Sequence, residues 1–151
     1  MNKSKIIASN RKASFEYFLS DSYEAGIVLL GTEIKAIREG KVNLSESYVT
    51  AYKNEIWLNN CHIGPYSAAS TNNHDSIRPK KLLLHKEQIV KLSTAAKMTG
   101  HTLIALKMYL KSHRIKVQIS MAKGKKLYDK RRSIKEKEQN REMRRGILRD
   151  I

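Results

Sequence analysis

Two long segments of the chain alternate between hydrophobic and polar positions with the period of two that β-strands show. The first covers residues 47–63 and is interrupted at Lys53-Asn54, a position suited to a tight turn. The second covers residues 102–121 and is interrupted at residues 111–113. Each pattern predicts an antiparallel hairpin with one buried face. Shorter patterns at residues 15–19 and 25–30 predict two further strands.

Helical periodicity is confined to shorter segments. Residues 32–39 predict a helix that Thr32 caps and Gly40 ends. Residues 86–99 predict a second helix that ends at Gly100. Many short strands, with short helices between them and no regular strand–helix alternation, predict a mostly β fold. We expect an OB-like closed antiparallel β-barrel with flanking helices.

A basic tail over residues 122–151 follows this predicted domain of residues 1–121. The tail carries twelve Lys and Arg residues against five acidic residues, for a formal net charge of +7. A capping-box pattern that begins at Ser133, and a glycine at position 146, predict a helix over residues 134–145. A helix of that length is marginal alone in water, so we expect the tail to be disordered when free and helical against a polyanion.

The charge of the whole chain indicates the kind of partner. Among 151 residues there are 30 Lys and Arg against 14 acidic residues, a formal net charge of +16. Such a surplus repels itself unless a polyanion neutralises it, which points to nucleic acid or an anionic membrane. No run approaches the roughly 20 apolar residues of a membrane span. The single cysteine, Cys61, excludes an intramolecular disulfide and suits the cytoplasm. We therefore expect a cytoplasmic nucleic-acid-binding protein without membrane contact.

The sequence contains no recognisable catalytic or metal-binding pattern. Neither the P-loop motif G-x-x-x-x-G-K-[ST] nor the dinucleotide-binding motif G-x-G-x-x-G occurs. The few acidic residues do not pair as general acid and base. Cys61-His62, with His74 downstream, lacks the second cysteine of a structural zinc site and is more typical of a buried thiol beside a strand histidine. We predict that the chain is not an enzyme and needs no cofactor or metal.

Basic residues interleaved with aromatic ones are typical of RNA-binding segments, because phosphates pair with the charges and unpaired bases stack on the rings. Residues 10–17 have this composition, although core packing is the alternative for one of Phe15 and Tyr17. Tyr128 stands among basic tail residues with no core to join, which favours stacking on a base.

Five ordered segments together resemble the small protein B family, the SsrA-binding proteins that escort transfer-messenger RNA (tmRNA) to stalled bacterial ribosomes. The segments are ASNRKASFEYF, YEAGIVLLGTEIKAIREGKVNLSESYV, HIGPY, RPKKLLLHKEQI and AKGKKLYDKR. The resemblance implies a barrel that holds the tRNA-like domain of tmRNA. It also implies a tail that enters the vacant decoding centre and mRNA channel. The implied function is trans-translation, in which stalled ribosomes are rescued and their products tagged.

The resemblance also implies which residues act, which partners they meet and that the chain is a monomer. The partners are the tRNA-like domain of tmRNA and both subunits of stalled ribosomes, and residues 82–84 support the RNA-binding face by packing. The implied RNA-binding residues are Asn10, Phe15, Tyr17, Glu24, Gly26, Lys35 and Arg38. The implied ribosome-engaging residues are Ala122, Lys123, Gly124, Lys125, Lys126, Tyr128, Asp129, Lys130 and Arg131.

Four positions depart from the family pattern. Phe15 and Tyr128 stand where many relatives carry histidine, so stacking is retained but a hydrogen bond is lost. Ser76 stands where proline is usual, and Gln139 replaces an aromatic residue that some relatives place in the tail helix.

Two alternatives from other classes remain at this point. A structural ribosomal protein with its tail embedded in rRNA would copurify stoichiometrically with subunits through high-salt washing, whereas an escort would associate substoichiometrically and dissociate in salt. An RNA-modifying enzyme would need a catalytic constellation that is not recognisable in the sequence.

Overall fold

The computed structural model describes residues 4–68, 73–125 and 127–149, with residues 127–129 and 146–149 described for their backbone only. The strands are β1 (Ser4–Ser9), β2 (Tyr17–Ile27), β3 (Val42–Asn43), β4 (Tyr48–Tyr52), β5 (Glu55–Asn59), β6 (His62–Ile63), β7 (Lys80–Leu83), β8 (His101–Lys111) and β9 (Arg114–Gly124). The helices are α1 (Ala13–Glu16), α2 (Gly31–Arg38), α3 (Lys86–Ala96) and α4 (Leu127–Arg149).

Seven strands form one antiparallel sheet in the order β1-β8-β4-β5-β7-β2-β9, and β8 also pairs with β9. Strands β3 and β6 pair separately. The longest ladder joins β8 to β9, and β2 continues the sheet on the other side of β9. The predicted mostly β architecture with several helices is confirmed.

Both predicted hairpins are confirmed, and their turns have the backbone that such short connections require. Lys53 and Asn54 join β4 to β5 with φ values of 47° and 59°. Ser112 and His113 join β8 to β9 with φ values of 49° and 66°. Two successive positive φ values match the right-handed twist of the flanking strands. Non-glycine residues therefore adopt the positive φ values that glycine often supplies in such turns.

The N-terminal strand predictions were wrong in their division. Residues 15–19 and 25–30 were expected to be two strands, but β2 is one strand from Tyr17 to Ile27, with a register shift between Leu19 and Ser22. Phe15 lies in the short helix α1 instead. The polar residues between the two apolar segments hid the continuity, because a bulge interrupts the alternation on which the prediction rested.

The structure corrects one predicted helix cap and one predicted helix end. Helix α2 begins at Gly31, so Thr32 lies inside its first turn and its hydroxyl contacts His74 Nδ1 at 2.9 Å. The backbone N–H of Leu30 donates to the Glu33 carboxylate at 2.8 Å. The helix start is therefore capped by the Glu33 side chain rather than by Thr32. Gly40, with φ of 80°, follows the helix as predicted. Helix α3 ends at Ala96, short of the predicted residue 99.

The boundary between sheet and tail lies later than expected. Strand β9 ends at Gly124 rather than at Met121, because residues 122–124 continue the ladder opposite residues 17–19. Helix α4 then starts at Leu127 and runs beyond the predicted ends, so Ser133 and Gly146 are interior residues. The segment contains no proline and is rich in good helix formers, which explains the greater length.

The core fills the space between the sheet and helices α2 and α3. Its fully buried members include Ile37, Ile56, Leu58, Leu82, Leu92, Leu103, Met108, Val117 and Ile119. A second, small cluster joins Ala13 of α1 to Ile104 and Ala122. This second cluster holds the end of strand β9 against α1, and so determines where the tail leaves the domain.

A buried ion-pair network was not predicted. Glu33 and Lys80 are both fully buried, and the Glu33 carboxylate lies 2.6 Å from an Arg78 guanidinium nitrogen and 3.7 Å from Lys80 Nζ. Lys80 Nζ also donates to the carbonyl oxygens of Arg78 at 2.6 Å and Cys61 at 3.3 Å. This network links α2, through Glu33, to β7, through Lys80. Truncating one partner would destabilise the fold, because it would leave the other charge buried and unpaired.

Candidate nucleic-acid interface

A groove of about 450 Å³ lies where β2, α2, β7 and the β8–β9 hairpin meet. We call it the basic groove; its lining residues are Gly26, Ile27, Val28, Leu29, Ile34, Arg38, Leu83, His113, Arg114, Ile115 and Lys116. It brings together two of the predicted RNA-binding residues, Gly26 and Arg38, from different elements. It adds the tip of the β8–β9 hairpin to them.

The floor of the basic groove is apolar and closely fitted. Val28 and Leu83 are 45% and 51% exposed, and both face the groove rather than the core. Of residues 82–84, which were predicted to support this face by packing, Leu82 is buried and Leu84 packs against the core, whereas Leu83 lies at the groove surface. A Cβ at Gly26 would lie 3.3 Å from the Leu83 Cβ, so glycine lets β2 and β7 approach at this point.

The rim of the basic groove is positively charged. Arg38 comes from the last turn of α2, Arg114 follows the hairpin turn, and Lys116 lies opposite Gly26 in the β2–β9 ladder. None of the groove's lining residues is acidic. An apolar floor with cations at the rim suits the sugar–phosphate backbone of a nucleic acid, which carries one charge per nucleotide.

Glu24 lies outside the basic groove, in a neighbouring cleft, where two side chains of β8 hold its carboxylate. The Tyr109 hydroxyl donates to the Glu24 carboxylate at 2.5 Å, and Lys111 Nζ lies 3.3 Å from the same oxygen. These donors, Tyr109 foremost, hold the pKa of Glu24 below its usual value, although partial desolvation opposes them. Burial, and then the nearby carboxylate, raise the pKa of Tyr109. Glu24 is thus a fixed, ionised acceptor.

The predicted RNA-binding residues fall into two groups at opposite ends of β2. Tyr17 begins that strand, whereas Glu24 and Gly26 lie near its end. Nine residues of extended chain span about 30 Å. The structure therefore brings Gly26 and Arg38 together in the basic groove, places Glu24 in the neighbouring cleft, and leaves Asn10, Phe15 and Tyr17 beside the start of the tail.

Asn10 is committed to the fold. Its backbone N–H donates to the Leu106 carbonyl at 2.7 Å, and its side-chain Nδ2 donates to the Ala105 carbonyl at 3.3 Å. These bonds fasten the turn after β1 to β8. The expected hydrogen bonds from Asn10 to sugar or base edges remain a prediction.

Tyr17 lies against the small cluster of Ala13, Ile104 and Ala122, and is half-buried there. The packing interpretation that competed with base stacking therefore applies to Tyr17. Phe15 is half-buried on α1, and its role in stacking stays a prediction.

Lys35 does not line the basic groove, although it is only three residues from Arg38. Its Nζ lies 5.3 Å from the centroid of the Tyr66 ring, a cation–π contact. Lys35 and Arg38, one turn apart on α2, therefore have different surroundings.

The junction between sheet and tail is organised by Lys125. Its backbone N–H donates to the Glu16 carbonyl at 2.9 Å, and its Nζ donates to the Ser14 carbonyl at 2.9 Å and to Ser133 Oγ at 2.8 Å. The same ammonium lies 5.0 Å from the centroid of the Phe18 ring. Lys125 therefore links α1, β2 and α4.

The other predicted ribosome-engaging residues differ in what they present. Ala122 is 1% exposed and packs in the domain, so its side chain is not available to a partner. Lys123 and Gly124 are exposed at the end of β9, and Lys130 and Arg131 lie on α4. Lys126, and the side chains of Tyr128 and Asp129, lie outside the described residues.

Sequence reasoning missed several residues that the fold places in these clefts. His113 fell within the predicted interruption at residues 111–113, and Arg114 and Lys116 were covered only by the predicted strand pattern of residues 102–121. Tyr109 and Lys111 were not singled out. The available signal was the concentration of cations around one predicted hairpin tip; the pairing of that tip with α2 was not visible in the pattern.

Cys61 is fully buried, and desolvation raises its pKa to about 11. A thiol with that pKa is not ionised near neutral pH and is a poor nucleophile or metal ligand. Within the described ranges, no group of three or more His, Cys, Asp or Glu side chains is placed to hold a metal ion. In the same part of the chain, no helix is long and apolar enough to cross a membrane.

Comparison with known proteins identifies the family. The model of the SmpB protein family matches residues 7–149, which include both the basic groove and helix α4. The chain belongs to the SmpB protein family. The resemblance inferred from the five sequence segments is confirmed.

Relatives and a solved structure agree with this assignment. The chain is 51% identical over 143 residues to an SsrA-binding protein of Bacillus cytotoxicus, covering 95% of this chain and 92% of the relative. It is 51% identical over 140 residues to an SsrA-binding protein of Koribacter versatilis, covering 93% and 80%. A chain in a solved structure described as "tmRNA-SmpB: a journey to the center of the bacterial ribosome" matches with a TM-score of 0.67 at 40% identity, covering 79% of this chain and 84% of that one.

Proposed function

We propose that this protein binds the tRNA-like domain of tmRNA (SsrA RNA) and delivers it to stalled ribosomes for trans-translation, without catalysing a reaction itself. The observation that carries the proposal is the basic groove, an apolar cleft with a cationic rim in a chain of the SmpB family. The names of its relatives, and the tmRNA–SmpB structure that it matches, support the same partner. Its place of action would then be the cytoplasm, where ribosomes work.

The scaffold of this function is, we infer, an OB-like closed barrel. Strand β8 pairs with β4 on one side and with β9 on the other, so the pairings run from β8 through β9, β2, β7, β5 and β4 back to β8. That circuit supports closure, and small barrels of this kind commonly bind nucleic acid on their strands and loops. The single residue pair between β4 and β8 would be its narrowest point.

RNA binding is assigned to Glu24, Gly26 and Arg38, with Arg114 and Lys116 as additions from the structure. The cations would contact phosphates and fix the register, while the ionised Glu24 would accept a hydrogen bond from a base amino group or a 2′-hydroxyl. Asn10, Phe15 and Tyr17 remain candidates for a second contact region, whereas Lys35 would contribute through the long-range attraction of its charge.

Ribosome engagement is assigned to the end of β9 and to the tail. Apart from half-buried Lys130 and Ser133, the side chains that the structure describes on α4, those of residues 130–145, are exposed, and most of them are charged. Exposed basic residues among residues 130–145, about 24 Å of helix, suit a polyanionic channel. Lys125 would set the direction in which this helix leaves the domain.

The test is a titration of the full-length protein with tmRNA at several salt concentrations. If cations contact phosphates, the logarithm of the affinity falls linearly with the logarithm of the salt concentration. A salt-independent affinity, or equal affinity for unrelated RNA duplexes of the same length, would contradict the proposal.

A further inference from the structure

A strip of aromatic side chains crosses the outer face of the β4–β5 hairpin, away from the core. We call Tyr48, Tyr52 and Trp57 the aromatic strip. The neighbours Val49, Ile56 and Leu58 are buried, so the alternate positions of both strands face outward. Tyr48 is 49% exposed and Tyr52 is 62% exposed. The outer face of this hairpin therefore presents two exposed aromatic rings to a partner.

Cations accompany these rings. Lys53, in the hairpin turn, places its Nζ 5.2 Å from the centroid of the Tyr52 ring. Lys81 of β7 lies opposite Trp57 in the β5–β7 ladder, and its Nζ lies 3.2 Å from the Glu55 carboxylate. Lys81 is thus paired with Glu55, which lies opposite Tyr52, so the phosphate contact would fall to Lys53. Aromatic rings with a cation beside them form the kind of surface on which unpaired bases stack.

The aromatic strip is continuous with the basic groove. Lys81 faces outward beside Trp57, and Leu83 faces outward two residues further along the same strand. Leu83 lies opposite Gly26, which in turn lies opposite Lys116. From β2 across β7 and β5 to β4 is three interstrand steps, about 14 Å. A chain lying in the groove can therefore pass directly onto the aromatic rings.

We propose that the aromatic strip extends the basic groove and stacks unpaired bases of a single-stranded RNA segment. The inference rests on the proposed function, because it assumes that the groove holds RNA. It adds a second contact of different chemistry, π-stacking in place of phosphate pairing. Charge and continuity favour RNA over an apolar protein segment here, since the rings lead into a groove whose rim is cationic.

Trp57 supplies a direct readout, because it is the single tryptophan of the chain. The full-length protein is titrated with a single-stranded adenosine octamer while tryptophan fluorescence is recorded. A blunt RNA duplex with the same number of phosphates serves as the control ligand. We expect the octamer to quench the fluorescence and the duplex to leave it nearly unchanged, because only unpaired bases can stack.

Variants at Tyr52 separate stacking from mere apolar contact. Tyr52→Leu keeps an apolar side chain but removes the ring, so we expect its affinity for the octamer to fall about fivefold to tenfold, the lower part of the range for one base–aromatic stack. Tyr52→Phe keeps the ring and is expected to bind like the original chain. Val90→Ala, at a 65% exposed position on α3, is the matched surface control.

The outcomes distinguish this inference from the proposed function. Unchanged fluorescence at saturating octamer, together with unchanged affinity in Tyr52→Leu, would overturn the aromatic strip; tmRNA binding by the same protein would leave the proposed function standing. Octamer-dependent quenching without any tmRNA binding would overturn the proposed function instead. An equal loss in Tyr52→Leu and Tyr52→Phe would show that the ring does not stack and would also overturn the strip.

Discussion

The basic groove and the tail helix are both positively charged, but they are built in different ways. In the groove, cations from a helix end and a hairpin tip are held around an apolar floor by long-range strand pairing. In α4, cations follow one another along a helix that contacts the domain chiefly through α1 and Lys125. The single ion pair found among its described side chains, Arg132 with Glu136, is exposed on both sides.

This difference separates two kinds of recognition. A groove with fixed cations is suited to the shape of one folded RNA, because its charges have one arrangement. A nearly free-standing charged helix is suited to a channel that supplies the missing surroundings, since surface ion pairs add little stability of their own. We therefore expect RNA affinity and ribosome function to be separable by mutation.

The largest effect is expected from removing the tail. A chain that ends after Lys125 keeps β9 and the anchoring contacts of Lys125 to α1, but loses α4. We expect peptide tagging on stalled ribosomes to fall by about a hundredfold or more, because the loss of many phosphate contacts removes several kcal/mol. The measurement is tagging of a reporter made from a message without a stop codon. Tagging at more than a tenth of the full-length level would contradict the assignment of ribosome function to the tail.

The next effect concerns the groove. We expect the double variant Arg38→Ala, Lys116→Ala to lower tmRNA affinity about 10- to 100-fold, at about 0.7–1.4 kcal/mol for each of the two contacts. The salt slope should also fall by about 2, one for each lost phosphate contact. Filter binding at several salt concentrations measures both quantities. The control is the double variant Lys86→Ala, Lys97→Ala, which removes two positive charges at the ends of α3. An equal loss of affinity in the control would mean that the groove contributes only through the net charge of the protein.

The sequence allowed the hairpins, the mostly β class and the basic tail to be predicted, because these depend on local alternation and composition. It did not reveal the bulge in β2, since an interrupted alternation looks like two strands. It also did not reveal the Glu33–Arg78–Lys80 network, because buried charges resemble surface charges until the fold pairs them. The groove was half predicted: Gly26 and Arg38 came from family resemblance, while Arg114 and Lys116 depend on which strands become neighbours.

A smaller effect is expected at the tyrosine that holds Glu24. Tyr109→Phe removes one donor to the carboxylate, so the pKa of Glu24 should rise toward its ordinary value. At pH 7 we expect the variant to be about 1 kcal/mol less stable, the worth of one hydrogen bond to a partly exposed charge. Urea denaturation measures the stability, and carboxyl NMR titration follows the pKa of Glu24.

The pH dependence of this effect has a definite sign. Glu24 has a folded-state pKa below its unfolded value, so its stabilising contribution is present above the unfolded pKa. That contribution is lost as the pH falls through the folded pKa. The stability difference between the two chains should therefore narrow in acid, and a gap that widens there would contradict the account of Tyr109.

The smallest effect is expected at Lys35, and it sharpens the assignment of the groove. Lys35→Ala and Arg38→Ala remove charges one helical turn apart, but only Arg38 lines the groove. We expect Lys35→Ala to lower tmRNA affinity less than about threefold, with the loss coming from long-range attraction alone. Competition binding against labelled tmRNA compares the two single variants. Equal losses would mean that RNA covers the Tyr66 side of α2 as well.

The central claim is that the domain alone recognises the RNA, and one affinity tests it most directly. The dissociation constant of tmRNA is measured for residues 1–125 and for the full chain, at the same near-physiological salt concentration and with competitor RNA to remove non-specific binding by the tail. We predict that the two constants agree within about threefold, less than 1 kcal/mol. A loss of tenfold or more in the shorter chain would contradict the division between groove and tail.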